Sequence, residues 1–175
     1  MLSLRIASLL CLLAATTQLG QPQVKRTRYA LTKFGNEGCM AKGRVQDCSG
    51  SAVMRQILTD GKDAIPILIS QLTERTPTET EIADYWFGTE SGDVAYIVLT
   101  DLFTMPDEEK SQMPAVPDWT TVRKGCNTTA QSCWELYLRK HGRASVQRAW
   151  SSAWNLHKGQ VHWDSKARCF RLSEP

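Results

Sequence analysis

The stretch Gly61-Lys62-Asp63-Ala64-Ile65-Pro66-Ile67-Leu68-Ile69-Ser70-Gln71-Leu72 decides how this chain folds. Ala64, Ile65, Leu68, Ile69 and Leu72 recur at i, i+1, i+4, i+5 and i+8, with Ile67 widening the stripe, so one face of a helix is apolar. Asp63 is a suitable N-cap, which puts Pro66 in the first turn, where a missing N–H is harmless. Just upstream, Val53, Met54, Ile57 and Leu58 form a shorter stripe that Asp60-Gly61 ends with a C-cap-like glycine. Downstream, Gly92 to Phe103 carries Val94, Ala95, Ile97, Val98, Leu99, Leu102 and Phe103, apolar nearly all round, which requires neighbours on more than one side. Ser91 is expected to cap this helix, and Asp93 falls in its first turn, where the helix dipole favours negative charge by about 0.3–1 kcal/mol.

Together, the 61–72 segment and Gly92-Asp93-Val94-Ala95-Tyr96-Ile97-Val98-Leu99-Thr100-Asp101-Leu102-Phe103 resemble the two helices of a HEAT-type repeat, over about residues 61–103. The chain departs from that family in the long insertion from Thr73 to Ser91 and in having no second complete repeat downstream. A single repeat cannot bury its own apolar faces, so the resemblance implies an αα-hairpin core rather than a solenoid. It also implies a binding scaffold and carries no catalytic residues.

Farther out, Thr104 to Gly125 holds Pro106, Pro114, Pro117 and Asp107-Glu108-Glu109-Lys110, a long connection that Val116 and Trp119 are expected to pin to the core. The C-terminal third is a second apolar unit. Trp134, Tyr137, Leu138 and His141 share a helical face ended by Gly142, and Val146, Ala149, Trp150, Ala153, Trp154 and His157 repeat the pattern before Gly159. Val161-His162-Trp163 and Arg168-Cys169-Phe170-Arg171-Leu172 flank a turn at Asp164-Ser165-Lys166-Ala167, a β-hairpin expected to pack on the helices through Trp163 and Phe170. The fold class is therefore mostly α: a HEAT-like helix pair and a Trp-rich C-terminal helix pair, with a small C-terminal β-hairpin.

Residues 1–20 read as a signal peptide: Met1 to Arg5 is basic, Ile6 to Ala15 is apolar, and Thr16 to Gly20 is small and weakly polar. The apolar run is too short to span a bilayer core, which takes roughly 20 residues. Cleavage leaves a mature chain with no membrane span and with Cys39, Cys48, Cys126, Cys133 and Cys169. In an oxidising compartment the near pairs Cys39/Cys48 and Cys126/Cys133 are disulfide candidates; Cys169 is unassigned, either paired elsewhere or a buried thiol. Residues 21–50 form an N-terminal arm, docked or flexible, with a Cys-tied loop, and 51–175 a single mainly helical domain. The chain as a whole resembles small exported bacterial proteins, a likeness that adds no mechanism. With 175 residues, 21 Lys+Arg against 18 Asp+Glu and no polybasic block, nucleic acid is not an expected partner.

The sequence offers one leading candidate surface, Tyr85-Trp86-Phe87 running into Glu90 and Asp93, where aromatic faces meet a helix start. The competing reading is that these aromatics cover the helix pair and that Asp93 stabilises the helix. Trp134, Trp150, Trp154 and Trp163 would suit an aromatic groove, although their helical spacing speaks first for core. His141, His157, His162 and Asp164 are the only acid/base or metal set, and a weak one, since none has the i, i+4 spacing of a metal-binding helix. Asn127-Thr128-Thr129 is a glycan sequon in a suitable host and otherwise places Asn127 near a helix cap. No cofactor is implied. The expected function is an exported, secreted or periplasmic, binding or interaction module for an envelope or extracellular protein or glycan. The alternatives are a small hydrolase of a cell-envelope polymer, using Glu90, Asp93 and the histidines, or a structural subunit of an envelope complex.

Overall fold

A computed structural model describes residues 27–34, 51–79, 88–106 and 108–173. Their architecture is mostly helical with one two-stranded antiparallel hairpin at the C-terminal end. Helix α1 (Ala52–Asp60) opens at Ser51, whose hydroxyl accepts the Met54 N–H, and closes at Gly61. At Gly61 φ is +56°, a conformation that side chains with a Cβ rarely adopt, so the glycine sets the break between helices. A 3₁₀ turn, Gly61–Asp63, leads straight into α2 (Ala64–Gln71). Asp63 is itself helical in φ and ψ and makes no side-chain cap, contrary to the expectation from sequence: the preceding 3₁₀ turn already occupies the place where a cap would act.

Helix α3 (Ser91–Leu102) is the centre of the molecule, with every residue buried except Asp101. Its N-cap is Glu90 rather than Ser91, which is already the first helical residue. The end of α2 abuts the start of α3, and the long connection between them is tied at its base. Thr78 N donates to Thr89 O at 2.9 Å, Ser91 N to Thr76 O at 2.8 Å, and Gly92 N to Glu74 O at 3.0 Å.

The connection after α3 is pinned as expected, with Val116 and Met113 buried and Trp119 partly so. It contains the short helix α4 (Trp119–Val122), capped by Asp118, whose carboxylate accepts the N–H groups of Thr121 and Ser111. Helices α5 (Ala130–His141) and α6 (Arg143–His157) are separated by Gly142 alone. Thr129, not Asn127, caps α5 by accepting the Ser132 N–H at 3.2 Å, because it is Thr129 that directly precedes the first helical residue.

Trp134 stacks on Tyr96 of α3 with ring centroids 3.7 Å apart, and Trp150 meets Phe103 at 5.8 Å. Strands β1 (Val161–Asp164) and β2 (Cys169–Leu172) pair Val161 with Leu172 and Trp163 with Phe170. Phe170 is buried against Phe103, whereas Trp163 remains 40% exposed, so only one of the two aromatics expected to seat the hairpin is in the core.

The segment ahead of α1 is docked where it is described: Tyr29, Leu31 and Phe34 belong to the core. Buried Gln71, at the end of α2, holds it there. Its amide accepts the Tyr29 N–H and donates to the Tyr29 carbonyl, both at 2.9 Å, so a buried backbone donor and acceptor are both satisfied by one side chain. From α6, Gln147 donates to the carbonyls of Ile69 and Ser70, capping the open end of α2 from across the interface.

Candidate functional site

Two places gather chemistry-bearing side chains. The first is the start of α3. Asp93 is the third helical residue and reaches back to accept the Glu90 N–H at 2.8 Å through one carboxylate oxygen. Its other oxygen accepts the Trp134 indole N–H at 2.7 Å and the Arg143 guanidinium at 2.5 Å. Arg143, the first residue of α6, also donates to Glu90 at 2.8 Å, and Arg75 approaches the same carboxylate at 3.2 Å. Gly92 lets this cluster close up, because a Cβ there would stand 2.6 Å from the Leu72 carbonyl oxygen and 2.8 Å from Arg143 Nη1.

This arrangement locks helices together. Both carboxylates that the sequence singled out are engaged by arginines, and the nearly buried Asp93 by an indole as well, while Glu90 keeps part of its side chain at the surface. Tyr85, Trp86 and Phe87 lie outside the described residues, as do Cys39, Cys48 and the leader at 1–20. Trp134, Trp150 and Trp154 are buried in the core. Burial pushes the Tyr96 hydroxyl, beneath Trp134, well above the usual tyrosine range and keeps it neutral.

The histidines do not converge. His141 lies against the Tyr137 ring at 4.4 Å, His157 Nδ1 pairs with Gln160, and His162 Nδ1 pairs with Ser173. Asp164 is spent inside the hairpin turn, where it accepts the N–H groups of Lys166 and Ala167 and pairs with Arg171. The Ala167 N–H above all, with the Arg171 guanidinium, holds its carboxyl below the usual range. Among the described residues, no three His, Cys, Asp or Glu side chains form a metal-binding group. Cys126 and Cys133 are disulfide-bonded across the loop that leads into α5, with sulfurs 2.09 Å apart, and Cys169 is a buried thiol whose Sγ lies 3.6 Å from Met105 Sδ.

The second place was not foreseen. Ile57 and Leu58 from α1, Gly61 and Lys62 from the 3₁₀ turn, Leu102 from the end of α3, and Trp163 and Phe170 from the hairpin enclose a cavity of about 330 Å³. That is within the roughly 300–1,000 Å³ range of small-ligand sites, and such sites are mostly apolar with few polar groups. Trp163 stands edge-on to Phe170 at 5.0 Å, forming an aromatic wall that is partly open to solvent. Lys62 is the one lysine or arginine among the described lining residues, and its Nζ donates to the Val161 carbonyl at 3.1 Å. His162 also borders the cavity, but strand alternation turns its side chain to the face opposite Trp163, where it meets Ser173. Gly61 was read from sequence as the end of a helix and Lys62 only as part of the 61–72 stretch, and nothing local to them signals a cavity whose other wall begins a hundred residues later.

No protein-family model, curated protein or solved structure matches the chain.

Proposed function

We propose that this chain is an exported binding module whose ligand site is the cavity between α1, the 3₁₀ turn and the hairpin. The observation that carries the reading is the apolar cavity of about 330 Å³ with the partly exposed Trp163 forming part of its wall. In this reading the α2–α3 pair plays the part of a lone HEAT-type hairpin, closed by the C-terminal helices instead of by further repeats. Export is supported by the basic and apolar leader and by the Cys126–Cys133 disulfide. A hydrolase reading has less support, because Glu90 and Asp93 are both engaged by Arg143.

The test is to express the full chain with its leader, recover the product outside the cytoplasm, and titrate it with N-phenylnaphthylamine, a neutral apolar fluorophore. The expected product has lost its leader near residues 16–20 and takes up the probe at one saturable site, with quenching of tryptophan emission. Leu58→Trp, which fills the cavity from a partly buried position, is expected to abolish uptake with little change in thermal midpoint. Uptake unchanged by Leu58→Trp would place the ligand elsewhere, and a full-length product confined to the cytoplasm would overturn export.

A further inference from the structure

We infer that the cavity takes a medium-chain amphiphilic carboxylate, with its hydrocarbon chain between Leu58, Leu102 and Phe170 and its carboxylate on Lys62. The inference rests on the cavity being the binding site proposed above, and it adds the ligand's charge and shape. Three observations carry it. The described walls are aliphatic and aromatic apart from Lys62 and the strand residue His162, so the body of the ligand must be apolar and its polar part must lie at one place. Lys62 is held at the hairpin side by its bond to the Val161 carbonyl, which uses one of the three ammonium donors and leaves two for an incoming anion.

No acidic residue lines the cavity among the described residues. Asp60 accepts the Tyr29 hydroxyl at 2.7 Å, and Asp63, although adjacent to Lys62, is exposed and is not part of the lining. In the hairpin, Asp164 pairs with Arg171 at 3.1 Å. An ammonium beside an apolar cavity with no carboxylate in its walls favours an anionic head group over a neutral or cationic one, and the partial burial of Lys62 strengthens that preference over the one it would have in open water. The volume fits a single acyl chain of modest length rather than a folded long chain or a polymer.

The experiment compares decanoate with decanol, equal in chain and different in head group, by calorimetry and by quenching of tryptophan fluorescence in the wild-type protein and in Lys62→Met. The expected result is that wild type binds decanoate at least about ten-fold more tightly than decanol, that Lys62→Met abolishes the difference, and that decanol affinity is the same in both proteins. Equal affinity for the two compounds in wild type would overturn the carboxylate assignment while leaving the apolar site standing. A preference for decanoate that survives in Lys62→Met would overturn the role of Lys62. Binding of neither compound would overturn the site itself and this inference with it. Decanol serves as the folding control for Lys62→Met, since losing the Val161 contact would weaken both ligands alike.

Discussion

Gly92 is the residue on which the joint between helices turns. Replacing a glycine inside a helix with alanine ordinarily stabilises by about 0.5–1 kcal/mol, because alanine has less backbone freedom to lose. At Gly92 the sign reverses. The added Cβ would meet the carbonyl oxygens of Leu72 and Glu74 at 2.6 and 2.7 Å, and these are backbone atoms that cannot swing aside. The Glu74 carbonyl is moreover held by the Gly92 N–H. Relief requires moving the end of α2 away from α3, which also disturbs Arg143 and, through it, the buried Asp93. Gly92→Ala is therefore expected to destabilise by about 1–3 kcal/mol, in the range of overpacked cores, as a lowered urea midpoint with unchanged slope. A midpoint equal to or above that of wild type would show that the base of the 73–91 connection is not closed as described.

At the scale of elements, the helices other than α4 were legible because each carries its own periodicity, whereas the four residues of α4 are too few to show one and were read as part of a long connection. The stripe at Ala64, Ile65, Leu68, Ile69 and Leu72 needs no partner to be recognised, and the all-round apolar run of α3 announces a central position. The hairpin was legible for a similar reason, with apolar strands flanking a polar turn. What sequence could not supply were pairings across distance. Arg143 looks like an ordinary helix-start residue until α6 is placed against α3, and Gln71 looks like a surface amide until Tyr29 is brought to it. The cavity was hidden because its walls come from three elements. The hairpin turn also carries a pH dependence. Asp164 has a depressed folded-state pKa, so its contribution is fully present above the ordinary carboxylate value and is lost as pH falls through the lower folded value. Acidification across that window is expected to speed amide exchange at Lys166 and Ala167, followed by nuclear magnetic resonance. In Asp164→Asn the turn keeps an acceptor without a titrating charge, so exchange corrected for intrinsic rates should become flat with pH there. A wild-type profile equally flat through the acid range would remove the electrostatic role of Asp164.

Over the whole molecule, the α2–α3 pair and the α5–α6 pair are two units in sequence but share one core. Trp134 stacks on Tyr96 and bonds Asp93, Gln147 closes the end of α2, Phe170 meets Phe103, and Lys62 bonds Val161. Each contact joins a residue before 104 to one after 133, so neither part can keep its apolar face covered once the other leaves. A single shared core is what makes unfolding cooperative, so one step is expected here as it is in smaller single domains. The prediction has a convenient reporter in the distribution of tryptophans: five of the six, Trp119, Trp134, Trp150, Trp154 and Trp163, follow α3 and only Trp86 precedes it, so emission follows mainly the C-terminal half. Far-ultraviolet circular dichroism, by contrast, draws on α1, α2 and α3 as well. Thermal and urea transitions from the two signals are expected to superimpose. If fluorescence were lost well before helicity, the C-terminal helices would be a separable unit resting on a self-sufficient pair, and the contacts around Trp134 and Gln147 would be those of an interface between domains instead of a core.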